Sequence, residues 1–230
     1  MKEGKTETAT AAARPEAVGF VLAGGQSSRM GQDKALLLFA GRPLVAHALS
    51  ILTQAGLPAS IAGARPSART ALEAFAPVVE DPEPGLGPLA GICAALASTS
   101  AHYAVFLPVD LPLLPPALIG FLLHHARITG QAVTVPAVSA FTQTFPVVLE
   151  RALLPALKAT LDAGNGRCLS AFQAAAASLG QAINSVAVEL LAQSGQVTHP
   201  LGLPPVRWFL NLNSPGDVEQ AEALSRFRIA

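Results

Sequence analysis

Apolar runs of strand length alternate along this chain with stretches whose apolar residues recur at helical spacing. Residues 18–23 carry no polar side chain and end at two glycines, so they read as a buried strand. Residues 43–55 set Leu44, His47, Ala48, Ile51 and Leu52 at helical spacing, with Pro43 suited to a first turn. A weaker strand at 58–63, a short helix at 68–75 and a strand at 77–80 ending in Asp81 follow. Past the Pro/Gly-rich loop 82–88 the pattern predicts a small-residue helix at 89–98. A buried strand at 103–107 then runs into Pro108, Val109 and Asp110. A helix at 115–128 and a strand at 132–136 complete the regular part.

Beyond that the rhythm loosens. Residues 143–149 and 181–188 read as strands and 151–162 and 169–176 as helices. Residues 193–205 read as a loop and 208–212 as a short apolar piece. The helix at 214–227 is well signalled: Ser214 can cap, Pro215 takes the first helical position, and Asp217 falls where a capping-box acid would. Alternating strand and helix predicts an α/β fold, a Rossmann-like three-layer sandwich with a mostly parallel central sheet and helices on both faces. Ligands of such sheets bind beyond the carboxyl ends of the strands. That marks residues 23–34, 81–88, Asp110 and 211–213. Residues 17–230 are expected to form one domain, with about 137–205 as a lobe over the site.

Composition narrows the function. The 230 residues are 51% hydrophobic and 13% charged, and 15 basic residues balance 15 acidic ones. No basic surplus points to nucleic acid. Residues 85–109 carry no charge, but Gly87-Pro88, Ser98-Thr99-Ser100 and His102 break them into loop, helix, turn and strand, so no membrane span is expected. Residues 1–16 lack the apolar stretch of a signal peptide and are expected to be a disordered extension. Cys93 and Cys168 have no CxxC partner and no histidine at metal spacing. They read as buried small hydrophobes in a reduced, cytoplasmic setting. His124 and His125 are adjacent on a helix, face different directions, and read as surface residues.

The strand that ends at Gly24-Gly25 can turn sharply and leave backbone N–H groups open to phosphate oxygens. Arg29 and Lys34 add cations suited to phosphate, and Asp33 is placed to orient Lys34. The loop is not a P-loop, since five residues separate Gly25 from Gly31 and Gln32-Asp33 precedes Lys34. Nor is it a dinucleotide fingerprint, because Gly24 and Gly25 are adjacent. Asp110 ends a buried strand alone; it suits a cation ligand, or a turn before Pro112. Asp81 reads as a nucleoside contact or a loop acid. Asn213 reads as an acceptor contact, a support for a metal, or a cap beside Ser214.

The segment Leu22-Ala23-Gly24-Gly25-Gln26-Ser27-Ser28-Arg29-Met30-Gly31-Gln32-Asp33-Lys34 resembles the signature of the family of NTP transferases typified by molybdenum cofactor guanylyltransferase. The resemblance continues through Val79-Glu80-Asp81, Gly87-Pro88-Leu89-Ala90-Gly91-Ile92 and Phe106-Leu107-Pro108-Val109-Asp110-Leu111-Pro112 to Phe209-Leu210-Asn211-Leu212-Asn213-Ser214-Pro215. It implies that Leu22, Ala23, Gly24 and Gly25 meet the nucleotide through backbone atoms, that Lys34 binds its phosphates, and that Asp81 touches the nucleoside. It implies Mg²⁺ on Asp110, catalytic parts for Arg29, Lys34 and Asp110, and acceptor contact or support from Gly87, Pro88, Asn211 and Asn213.

The implied reaction moves GMP from GTP to the phosphate of molybdopterin. No nucleic acid or membrane is involved, and contact with other cofactor-biosynthesis proteins or recipient enzymes is transient. The double glycine resembles the guanylyl enzymes, where cytidylyl and uridylyl relatives show Leu-Ala-Ala-Gly; a smaller residue fits close approach to a purine. The alternatives are a CTP-dependent cytidylyltransferase of the same cofactor, a sugar-phosphate nucleotidyltransferase, and a nucleotide-binding accessory protein without turnover. Two departures bear on the substrate: Ile61-Ala62-Gly63-Ala64-Arg65 has no asparagine where the family carries one, and Phe145 stands before Pro146 where the family commonly has histidine.

Overall fold

The computed structural model describes residues 15–24, 33–81 and 86–226, so Gly25, Arg29 and the lead-in 1–14 lie outside the described residues. The first apolar run forms β1 (Ala17–Leu22), buried at five of its six positions, as a strand covered on both faces must be. A tight hairpin of β2 (Leu38–Phe39) and β3 (Arg42–Pro43), turned by Ala40 and Gly41 at positive φ, feeds straight into α1 (Leu44–Gln54). Next come β4 (Ala59–Ala62), α2 (Pro66–Glu73), α3 (Pro88–Ser98), β5 (Tyr103–Pro108), α4 (Pro116–Thr129) and β6 (Val133–Val138). Proline opens α2, α3 and α4, where its fixed φ suits the first turn and its missing N–H costs nothing. The chain then makes β7 (Phe141–Thr142), β8 (Val147–Glu150), α5 (Leu154–Asp162), α6 (Cys168–Ser178), β9 (Asn184–Ala187), α7 (Val188–Gln193), α8 (Pro205–Trp208) and α9 (Pro215–Arg226).

The main sheet has the order β4-β1-β5-β8-β6-β7, with β9 also paired to β6. β1 runs parallel to both β4 and β5. β8 is antiparallel to β5 and to β6, so β6 points the same way as β5, and β9 runs parallel to β6. The sheet is therefore mostly parallel. Alternate residues supply two cores: Val21, Val105 and Leu107 pack on α1 and α4, while Phe20, Leu22 and Phe106 face α3, α5 and α6. Phe20 and Phe106 are register partners, and their rings stack at 5.4 Å. Helices thus cover both faces, as the alternation predicts.

Several expectations change. The strand at 77–80 is a single bridge between Ile61 and Val78, flanked by Ile61 N–H to Pro77 O and Val79 N–H to Ile61 O, both at 2.8 Å. Pro77 has no N–H with which to lengthen the ladder. The strand at 143–149 begins only at Val147: β7 pairs Thr142 with Ala137, β8 pairs Val148 with Thr134, and residues 143–146 bulge out between them. Pro146, likewise without a donor, stands where pairing resumes. The strand at 181–188 shortens to β9, and Val188 opens α7. The apolar piece at 208–212 is no strand; Trp208 closes α8 and is 1% exposed. The uncharged run 85–109 divides into α3 and β5, and among the described residues no helix is long and apolar enough to cross a membrane. Cys93 and Cys168 are buried, and burial pushes their thiols up to about 11 and about 12.

Candidate active site

The carboxyl ends of β4, β1 and β5 lie side by side, and backbone bonds carry their alignment past the last strand residues. Ala23 N–H donates to Ala62 O at 3.0 Å, Val109 N–H to Leu22 O at 3.3 Å, and Leu212 N–H to Asp110 O at 3.1 Å. Asp110 is therefore held between β1 and the segment that leads to α9. Its Oδ2 accepts from Lys34 Nζ at 2.7 Å, and the same ammonium donates to Asn213 Oδ1 at 2.6 Å. Lys34 and Asp110 side chains are each 21% exposed, so the pair is partly shielded from water.

The residues around this trio explain its position. Lys34 opens a 3-10 turn anchored by fully buried Ala35 and capped by Asp33, whose Oδ1 accepts Ala35 N–H at 3.0 Å. Asp33 is thus a turn cap, and the carboxylate paired with Lys34 is Asp110. Asn213 sits on a loop held by Asp217, whose Oδ2 accepts N–H from Asn213 at 2.9 Å and from Ser214 at 2.8 Å. Ser214 Oγ accepts Asp217 N–H at 3.3 Å. The capping box is therefore present, and it positions the amide that meets Lys34. The Asn213 N–H, followed by the Ser214 hydroxyl, holds the Asp217 carboxyl below its usual range.

Asp110 Oδ1 is buried and has no hydrogen-bond partner among the described residues. A buried lone acceptor beside a used one is an opening for a cation. The described residues contain no cluster of three or more His, Cys, Asp or Glu that could hold a metal. A single carboxylate suits a hard cation that brings phosphate and water oxygens as its other ligands. In front of Asp110 lies a cavity of about 350 Å³, lined among others by Leu22, Gly24, Pro88, Asn211, Gln143, Thr144 and Phe145.

The structure thus brings Leu22, Gly24, Pro88, Asp110 and Asn211 to one cavity, with Lys34 and Asn213 bonded at its acid. Gly87, at φ 86°, precedes Pro88. Asp81 lines a different hollow, of about 750 Å³, which runs along α3 from Ala90 to Ser98 against Lys158 and Asp162 of α5. The smaller cavity is the one at the sheet's carboxyl edge, beside Asp110. Gln143 and Thr144 were not singled out by their pattern; Phe145 was, as a departure from the family's histidine before Pro146, and it stands in the cavity wall.

Gly24 has a nearer constraint than a purine. A Cβ on it would stand 2.4 Å from Gly63 O, and a Cβ on Gly91 would stand 2.8 Å from Gly63 Cα. Gly63 itself takes φ +68°. Three backbones therefore stack at the mouth of the cleft, with Gly63 in the stretch where the family's asparagine is missing.

His199 is a support that the sequence pattern did not reveal. Its Nε2 is 2.8 Å from Leu113 O, its Nδ1 accepts Leu201 N–H at 3.0 Å, and its ring stacks on Trp208. That arrangement needs a neutral ring with the proton on Nε2. Burial holds the His199 pKa below its ordinary value, against the opposing bond to Leu113. The neutral form is thus the stabilising one: its contribution is whole above about pH 6.5 and drains as pH falls towards the folded value. We expect the urea midpoint of the wild type to fall between about pH 7.5 and about pH 5.5, and that of His199→Gln to fall less. Equal slopes would remove His199 from this role. His47, also held low by burial, accounts for a residual slope in the variant.

The structure thus offers an open, mostly parallel sheet with a paired lysine and aspartate at its carboxyl edge, beside a cavity of about 350 Å³. Comparison with known proteins is more particular. The profile of the MobA-like NTP transferase domain matches residues 19–182, and the chain belongs to that family. A molybdenum cofactor guanylyltransferase of Xanthomonas euvesicatoria is 45% identical over 111 residues, 47% of this chain and 54% of the relative. The match thus spans about half of that relative's length. One of Shewanella loihica is 37% identical over 154 residues, 65% of this chain and 77% of the relative. Among solved structures, molybdopterin-guanine dinucleotide biosynthesis protein A from Archaeoglobus fulgidus superposes with a TM-score of 0.72 at 20% identity, covering 90% of this chain and 97% of that one. A 2-C-methyl-D-erythritol 4-phosphate cytidylyltransferase from Thermus thermophilus does so with 0.60 at 19%, covering 91% and 98%. At such identities these two likenesses speak for the fold.

Proposed function

We propose that the protein transfers GMP from GTP to the phosphate of molybdopterin with the help of Mg²⁺, releasing pyrophosphate. The observation that carries the reading is the Lys34–Asp110–Asn213 contact, at 2.7 and 2.6 Å, together with the buried Asp110 Oδ1 that no described residue satisfies, on an acid that lines the cavity. The guanylyltransferase relatives support the choice of nucleotide and acceptor.

In this reading the backbone of Leu22, Ala23 and Gly24 lies along the nucleotide, and Gly25 and Arg29 continue the phosphate contact. Lys34 neutralises phosphate charge, and Asp81, which lines the separate hollow along α3, meets the nucleoside only where the ligand reaches beyond the cavity at Asp110. Gly87, Pro88, Asn211 and Asn213 serve the acceptor side, and Asp110 holds the cation through Oδ1. When bound, Mg²⁺ neutralises charge that builds on the phosphates. An oxygen of the acceptor phosphate attacks the α-phosphorus of GTP, the bond to the bridging oxygen breaks, and pyrophosphate leaves. A phosphate monoester is largely ionised at neutral pH, with a second pKa of about 6, so the nucleophile needs no general base. The residues described around the cavity include no histidine, in keeping with that. The protein's work is positioning and charge neutralisation.

Labelled GTP, CTP and UTP offered in parallel with molybdopterin and Mg²⁺ should give dinucleotide and pyrophosphate from GTP alone. Product from CTP only would overturn the guanylyl assignment. Binding of GTP without product from any nucleotide would point to an accessory protein.

A further inference from the structure

Lys34 is bonded to the very carboxylate that a cation would use. The ammonium touches Asp110 Oδ2 and Asn213 Oδ1, and a cation on Asp110 Oδ1 would stand only a carboxylate's width away. Like charges so close repel, the more so because Lys34 and Asp110 are only 21% exposed. We propose that Lys34, latched by Asp110 and Asn213, keeps free divalent cations off Asp110, so that a cation enters together with the nucleotide phosphates that draw the ammonium away. This rests on the reading of Asp110 as the cation's carboxylate.

The latch is built to release. Asn213 offers a neutral amide oxygen, which holds an ammonium less firmly than a second carboxylate would. Its backbone is pinned by Asp217, so the amide stays in place when the lysine leaves. Lys34 rises from an anchored turn, which leaves its long side chain as the moving part. Asn213 is thus a positioning residue that acts through Lys34. Cation and nucleotide become coupled, each tightening the other's binding by the same factor.

The test uses Mn²⁺ alone as probe, titrated into the full chain without nucleotide and followed by loss of the free-ion EPR signal. Lys34→Met should bind Mn²⁺ about tenfold more tightly than the wild type. Asn213→Ala keeps the lysine's charge and its bond to Asp110 but removes the second hold on the ammonium, and should fall between the two. With GTP present the order should reverse for Lys34→Met, because the phosphate contact is lost. Unchanged Mn²⁺ affinity in both variants overturns the latch. A gain in Lys34→Met with none in Asn213→Ala also overturns it, since loss of a charge alone would then account for the gain. If the gain survives in Lys34→Met/Asp110→Asn, the cation does not sit on Asp110, and the reading on which the latch rests fails; if the gain is lost there, Asp110 is the site and the first two outcomes overturn the latch alone.

Discussion

Asp110→Asn should lower the rate of pyrophosphate release by about 10³-fold while the protein stays folded. The substitution keeps the shape of the side chain, and an amide oxygen remains to accept from Lys34, so the local packing changes little. What goes is the charge, and with it the buried Oδ1 that no described residue satisfies. The Lys34–Asp110 pair is shielded but not fully buried, so its loss should cost about 1–2 kcal/mol of stability, less than unfolds the protein. Turnover and urea midpoint are measured on the same preparation. Wild-type turnover removes Asp110 from the chemistry. A midpoint that collapses along with activity makes the acid a structural one, tying the Asn213 loop to the end of β5 through Lys34.

Gly24→Ala should fail for a different reason. The new methyl would stand 2.4 Å from Gly63 O, a backbone atom with little room to move, since Gly91 of α3 also packs closely on Gly63. Overpacking of this sort costs about 1–3 kcal/mol. Relief requires residues 22–24 to shift, and a misplacement of about 1 Å at a site can cost about 10² in rate. The expected result is a lower urea midpoint together with weaker binding of GTP and CTP alike. A variant of wild-type stability that exchanges GTP preference for CTP would overturn this account and return Gly24 to a direct part in reading the base.

Much of the architecture was legible because it is local. β1, α1, α3, β5 and α4 follow from periodicity and from proline at helix starts, and the Ser214–Asp217 cap follows from four consecutive letters. The direction of β8 was not legible, because an apolar run says nothing of which neighbour it will pair with or which way it will run. The fate of residues 77–80 turned on one missing N–H at Pro77.

At the site, Asp110, Lys34 and Asn213 were each marked by motif, but their meeting was not: Lys34 and Asn213 are 179 positions apart. Asp33, next in sequence, looked the natural partner of Lys34, and its carboxylate was taken by a backbone N–H. Gly24 was read through the ligand, whereas its closest constraint comes from another glycine in the chain. His199 carries no motif at all, and its two bonds depend on where Leu113 and Leu201 come to rest.

The reversed strand β8 has one more result. Because it runs against β5 and β6, the wall of the cleft at Gln143, Thr144 and Phe145 hangs between β7 and β8 and does not cap a strand end. The neighbouring tip, between β6 and β7, is the turn at Ser139 and Ala140, both at positive φ, where Ser139 N–H donates to Glu189 Oε1 at 2.6 Å and Phe141 is 74% exposed. Insertions or deletions at that tip leave the β1–β5 register untouched. A change of length there would therefore reach only the 143–145 wall of the cavity, while Leu22, Gly24 and Asp110 keep their places at the ends of β1 and β5.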